Sequence, residues 1–215
     1  MDTYSENTVF SSIDTYGRYA YKNQPAVGAW NLAKLAGSLL PLFCEDEDAA
    51  AEMAMKEIAN YWAVYNERWL EGMRAKLGFI TEEAEDARLI EELLGLISAN
   101  GLDYTHTLRS ITLEGQGFSS LLEIKEFADW QNKRQARLMR QPHSADYVMS
   151  IMRKNNPAVI PRNYRVEEAL AAAEHGDFTV MDCLLSALKA PYEDSKIYSQ
   201  PPEPSAKKYK TFCGT

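Results

Sequence analysis

Six large apolar side chains, Met55, Ile58, Trp62, Tyr65, Trp69 and Met73, recur at intervals of three, four, three, four and four residues. Only a helix of 3.6 residues per turn gathers such a series onto one face. This pattern predicts a helix running to about Leu77, with Gly78 as its C-cap. A Met and Trp stripe is also compatible with a cofactor pocket, but ordinary core packing accounts for it fully. The acidic run Glu45–Asp48 suits the N-terminus of that helix, where backbone N–H groups lack partners.

The same periodicity continues on both sides. Val27, Trp30, Leu35, Leu39 and Leu42 predict a preceding helix from after Pro25 to Phe43, and residues before Pro25 read as irregular. Thr81 is the expected N-cap of a helix carrying Ile90, Leu93, Leu94 and Ile97 that stops at Asn100-Gly101. A short element spans Tyr104–Ile111, and Ser120 with Glu123 predicts a capping box for a helix reaching Arg140. Ser144 is expected to cap a helix through Met152, ended by Asn155-Asn156-Pro157. Two further helices are expected, Val166–His175 and a last one after Asp177 burying Met181, Leu184, Leu185 and Leu188. With no alternating strand pattern and no repeat, the fold class is mostly α, with about eight helices.

Bulk properties narrow the function classes. There are 23 Lys and Arg against 31 Asp and Glu, a net charge of −8, which disfavours a nucleic-acid binder. No unbroken run of about 18 apolar residues exists, so no membrane span is expected. The polar start Met1-Asp2-Thr3-Tyr4-Ser5-Glu6 does not resemble a leader, and a cytoplasmic location is expected. Cys44, Cys183 and Cys213 lack zinc-site spacing, and the first two are expected to be small core fillers.

Familiar catalytic signatures are missing: no phosphate-cradling loop with its Lys, no G-x-S-x-G and no H-E-x-x-H. His106, His143 and His175 read as surface or capping residues, and Glu82, Glu83, Glu85 and Asp86 as a solvated helix start rather than a metal site. Asp103 and Arg109 are expected to pair locally. One stretch resists this treatment. Asp14, Gly17-Arg18-Tyr19-Ala20-Tyr21 and Asn23-Gln24-Pro25 crowd ahead of Trp30-Asn31-Leu32. Arg18 offers a planar fork of donors to an anion or to an acidic part of a protein substrate. The alternative, an ion pair with Asp14 or another carboxylate that pins the segment to the helical lobe, is favoured at this point. Tyr16, Tyr19 and Tyr21 are expected to pack with hydrogen-bonded hydroxyls.

This stretch resembles the selenoprotein O (SelO/YdiU) family, kinase-fold proteins described as pseudokinases. The likeness continues at Asp103-Tyr104-Thr105 with Arg109, Asn156-Pro157, Arg162-Asn163 and Glu168-Ala169. It extends through Ala173-Glu174-His175-Gly176-Asp177-Phe178, Pro191-Tyr192, Pro201-Pro202 and the near-terminal Cys213. The resemblance implies transfer of AMP from ATP, with Mg²⁺, to Ser, Thr or Tyr hydroxyls of protein substrates. It also implies that the ATP-binding lobe, the catalytic-loop Asp and Asn, and the D-Y-G metal-binding Asp all precede this region. Positions 1–215 would then hold no catalytic, cofactor or metal residue of the family.

By the same resemblance, residues 1–25 correspond to the activation segment, 26–190 to the helical C-lobe and 191–215 to a C-terminal tail. Asp14 and Arg18 would contact the activation segment or the substrate, and Cys213 would occupy the family's redox-active position. Some relatives pair that position with a cysteine where this chain has Phe10. A chain lacking the N-lobe would expose apolar surface and could self-associate. The competing expectation is a non-catalytic helical interaction module or truncated remnant, with thiol redox activity at Cys213 a further alternative.

Overall fold

The structure, a computed structural model, describes residues 2–202. Cys213 and the tail lysines Lys207, Lys208 and Lys210 lie outside the described residues. Among the described residues the chain is all α. A 3-10 turn at Tyr21–Asn23 precedes nine helices, α1 Gln24–Phe43, α2 Glu47–Leu77, α3 Asp86–Ala99, α4 Tyr104–Leu113, α5 Gln116–Leu122, α6 Lys125–Leu138, α7 Ala145–Asn155, α8 Asn163–Glu174 and α9 Thr179–Lys189. Among the described residues the only β-type pairing is an isolated antiparallel bridge between Thr3 and Asp103. Two compact units divide these elements, residues 5–71 on one hand and residues 2–4 with 72–202 on the other. The boundary falls within α2.

The unit of residues 5–71 starts with a looped segment tied back on itself. Tyr21 N–H donates to the Thr8 carbonyl at 2.9 Å and Lys22 N–H to Glu6 O at 2.9 Å. Pro25 lies in the first turn of α1, where its missing N–H costs nothing. Asp46 begins α2, its Oδ1 accepting from the N–H of Asp48 and Ala49, so the acidic run caps as expected. The Tyr61 hydroxyl donates to the Pro25 carbonyl at 3.0 Å, fixing α2 to the head of α1. A Cβ on Gly28 would come 2.9 Å from that hydroxyl, which is why a glycine faces it.

No residue of α1 is buried. Of the α2 stripe only Met73 is buried, while Met55 and Trp62 are exposed. The expected core stripe therefore borders an open apolar groove of about 350 Å³, lined by Leu32, Leu35, Leu39 and Phe43 of α1 and by Met53 and Ile58 of α2. Tyr21–Phe43 is also long and apolar enough, by length and composition alone, to cross a membrane, contrary to the sequence expectation. Ala, Gly and Asn residues dilute that run and hide it from a search for unbroken apolar stretches. Core helices of soluble proteins share this composition.

The unit of residues 2–4 and 72–202 holds a dense core. Leu77, Ile90, Leu93, Ile97, Leu108, Ile111, Phe127 and Trp130 are withdrawn from solvent. Packing pairs α3 with α6, α4 with α5 and α7, and α8 with α9. Trp130, buried beside the tilted ring of Phe127, donates Nε1–H to the Leu89 carbonyl at 2.8 Å, so its polar atom is satisfied. Gly78 ends α2 at φ +80°, and a Cβ there would lie 2.5 Å from Val148 Cγ1. Only glycine fits on both counts. Ser144 accepts from Tyr147 N–H and His175 closes α8, both as expected.

Several local expectations are corrected. Helix α3 starts at Asp86 rather than after Thr81, because Asp86 turns its carboxylate back to the Glu83 N–H at 2.9 Å and towards two arginines. Ser120 lies inside α5, and the expected single helix breaks at Glu123-Ile124 into α5 and α6. Cys183 is exposed and Cys44 half-buried, so neither fills a core. Leu184 is buried on α9 but Leu185 is exposed.

Candidate functional site

The sequence leads one to expect the looped segment of residues 14–30 to be pinned by an ion pair of Arg18 with Asp14 or another carboxylate. The structure assigns the two side chains differently. Asp14 accepts the backbone N–H groups of Arg18 at 2.9 Å and Tyr19 at 2.8 Å, which shapes the loop as an Asx turn does. Gly17 adopts φ +65°, and its carbonyl accepts from Asn23 Nδ2 at 2.8 Å. Gln24 Nε2 donates to the Tyr19 carbonyl at 2.6 Å. The carboxylate is thus spent on backbone, and the guanidinium is left over.

That guanidinium lies 4.6 Å from the Trp30 ring centroid and 5.5 Å from that of Tyr19. Lys34, one turn further along α1, places Nζ 5.3 Å from the same Trp30 ring. Two cations thereby share one indole. Cation–π contact of this kind favours a fixed position without neutralising the charge. Neither Arg18 nor Lys34 forms an ion pair among the described residues, whereas Lys22 nearby meets Glu6 at 3.5 Å. Arg18, Asn23, Ala26, Val27 and Trp30 line a shallow depression of about 370 Å³.

Tyr16 and Tyr19 also depart from expectation. Tyr16 is 97% exposed, and Tyr19 and Trp30 are each about half exposed. They are presented rather than packed. Burial pushes the Tyr21 phenol above its ordinary value, taking it further from proton transfer near neutrality.

The charged residues of the other unit are braces. Asp86, fully buried, meets Arg137 Nε at 2.7 Å and Arg74 Nε at 2.8 Å, while Arg137 lies over the Phe79 ring. Burial alone would raise the Asp86 carboxyl, yet the bonds from Arg137, the Glu83 N–H and Arg74 together hold it below the usual range. Arg140 engages Glu83 at 2.7 Å and also Glu85. The acidic run is therefore a cross-linked knot and not a solvated helix start. Asp103 and Arg109 do not pair with each other. Asp103 caps α4 through the His106 N–H at 2.7 Å and binds Arg162 at 2.7 Å, which also holds Asp2. Arg109 reaches Asp194 at 2.7 Å and the carbonyls of Asn156 and Tyr192.

Arg134 is buried without a carboxylate. Its donors go to the Leu77 carbonyl at the end of α2, to Gln131 and to the Met152 sulfur, and burial lowers its pKa to about 10. The carbonyl end of a helix carries partial negative charge, which compensates part of that cost.

These commitments bear on cofactors. Among the described residues no group of three or more His, Cys, Asp or Glu is arranged to hold a metal ion. Asp86 and the part-buried Asp103 are both engaged by arginines and backbone N–H groups. Of the residues singled out from sequence, Asp14 and Arg18 fall in one small site and Cys213 lies outside the described residues. Lys34 and the exposed face of Trp30 escaped the sequence reading. A usable signal was present: between residues 15 and 44 there are three basic residues and no acidic one.

Comparison with known proteins fits these motifs. The sequence model described as Protein adenylyltransferase SelO matches residues 1–189. A protein of Anoxybacillus flavithermus described as Protein nucleotidyltransferase YdiU is 55% identical over the whole of this chain and 45% of its own length. Proteins of the same description from Geobacillus kaustophilus and Alkaliphilus metalliredigens are 50% and 49% identical, again over 45% of their lengths. The chain thus spans less than half of these relatives, and by the match over most of its residues it belongs to the SelO family of protein adenylyltransferases.

Proposed function

We propose that this chain is the helical C-lobe region of a kinase-like SelO protein that moves AMP from ATP to Ser, Thr or Tyr hydroxyls of other proteins. The nucleotide and Mg²⁺ would be held by the part of the relatives that the chain does not span. The observation that carries this reading is the pairing of a family match over residues 1–189 with a described donor set that is spent on structural ion pairs. Nucleotidyl transfer needs cations and metal gathered around the phosphates, and no such cluster forms among the described residues. The role assigned here is support and substrate docking, in a cytoplasmic setting.

The test incubates the 215-residue chain with labelled ATP, Mg²⁺ and a generic acceptor protein, beside a full-length relative. No label above background is expected from the chain alone. Incorporation equal to that of the relative overturns the assignment of the chemistry to the missing part. Cys213 is carried in the same proposal as a redox position: with Cys44 and Cys183 replaced by serine, Cys213→Ser is expected to abolish the remaining mixed-disulfide formation by exchange with a small-molecule disulfide.

A further inference from the structure

We propose that Arg18 and Lys34, held on the ring of Trp30, form a docking site for an acidic segment of a separate protein. This deepens the reading above, on which it rests, by naming the chemistry that the substrate-facing surface would recognise.

Four observations converge. First, the two cations are displayed on one aromatic plate at 4.6 and 5.3 Å and lack carboxylate partners among the described residues. Second, this happens in a chain of net charge −8, where nearly every other arginine described above meets an acid. Third, residues 15–44 carry Arg18, Lys22 and Lys34 and no Asp or Glu, so all 31 acidic residues lie elsewhere. Fourth, Tyr16, Tyr19 and Trp30 are exposed around the cations. Arg, Tyr and Trp are the residue types that dominate binding hot spots, and Arg pairs carboxylates in a bidentate fork.

Charge count chooses among acidic partners. Attachment to anionic lipid typically draws on clusters of about four to eight Lys and Arg. Nucleic acid binding needs many phosphate contacts and a strongly basic face. Two unpaired cations on a rigid aromatic plate match neither. They match two or three carboxylates on a short peptide, with the tyrosines flanking its backbone. The loop that carries Arg18 is prepaid in order, since Asp14, Asn23 and Gln24 already fix it.

The experiment measures fluorescence anisotropy of a labelled Glu-rich peptide with the full 215-residue chain. A Lys-rich peptide, phosphatidylserine vesicles and a single-stranded DNA oligonucleotide serve as alternatives. The Glu-rich peptide is expected to bind, and to weaken about tenfold or more in Arg18→Gln/Lys34→Gln. Lys22→Gln, which removes a cation already engaged by Glu6, is expected to change affinity less than about twofold. The charge-preserving Lys34→Arg variant should retain binding, and far-UV circular dichroism should match across the series. Unchanged affinity in the double variant, no binding up to about 1 mM, or stronger capture by vesicles or DNA overturns the proposal. AMP transfer is read separately in a full-length relative. Absence of peptide binding by the wild-type chain, with transfer by the relative intact, sinks the docking site alone, and peptide binding without transfer sinks the catalytic reading alone.

Discussion

Asp86 and Arg137 are both fully withdrawn from solvent and meet at 2.7 Å, with Arg74 closing the other carboxylate oxygen. Withdrawing two ions from water is costly, so the pair is worth having only while both members remain. Asp86→Asn is expected to destabilise the 72–202 unit by about 3–5 kcal/mol at neutral pH, read by urea denaturation.

The same contact sets an acid limit. The folded Asp86 carboxyl sits below its unfolded value, so the unfolded chain binds the proton first as pH falls. The stabilisation is complete above the unfolded carboxylate value near about 4 and drains away as pH drops through the folded value. Urea midpoints of wild type and Asp86→Asn should therefore converge below about pH 4. A gap that widens with acidification contradicts this.

Two glycines predict opposite outcomes. Gly78→Ala forces a Cβ within 2.5 Å of Val148 at φ +80° and is expected to cost about 2–4 kcal/mol. Gly95, inside α3 with open space around it, should gain about 0.5–1 kcal/mol as alanine. Thermal melts of the two variants decide both.

The apolar groove between α1 and α2 should make the chain self-associate. Leu42 is 79% exposed and Leu35 about half exposed. Leu35→Glu/Leu42→Glu is expected to shift sedimentation towards monomer, with less than about 1 kcal/mol change in urea stability. A wild-type monomer at high concentration would contradict this.

Asp14→Ala removes the acceptor of two backbone N–H groups. A local loss of about 1–2 kcal/mol is expected, read as faster amide exchange at Arg18 and Tyr19 while the global midpoint stays unchanged.

Much of the helical order was legible because apolar spacing and caps are local. Ser144, Asp46, Gly78 and the Asn100-Gly101 stop act through neighbours within a few residues. The α3 start was misplaced because Asp86 answers to Arg137, 51 residues away, as well as to the Glu83 N–H beside it. Likewise Arg109 prefers Asp194 over nearby Asp103, a choice made by tertiary packing. The α2 stripe had the period of a core face, and period alone does not say whether anything covers that face. At residues 14–34 the sequence drew attention to Arg18, but its release from Asp14 depends on which atoms the loop's own N–H groups claim.

Helix α1 spends twenty residues without burying one of them. Most helical stability in proteins comes from a packed face rather than from propensity, so the backbone bonds of α1 open readily. Time then becomes a property of the sequence: α1 amides exchange through frequent local opening, while those of α3 and α6 wait for the whole unit to unfold. A protease meeting this chain would find its first cut in α1, the helix that carries Trp30 and Lys34.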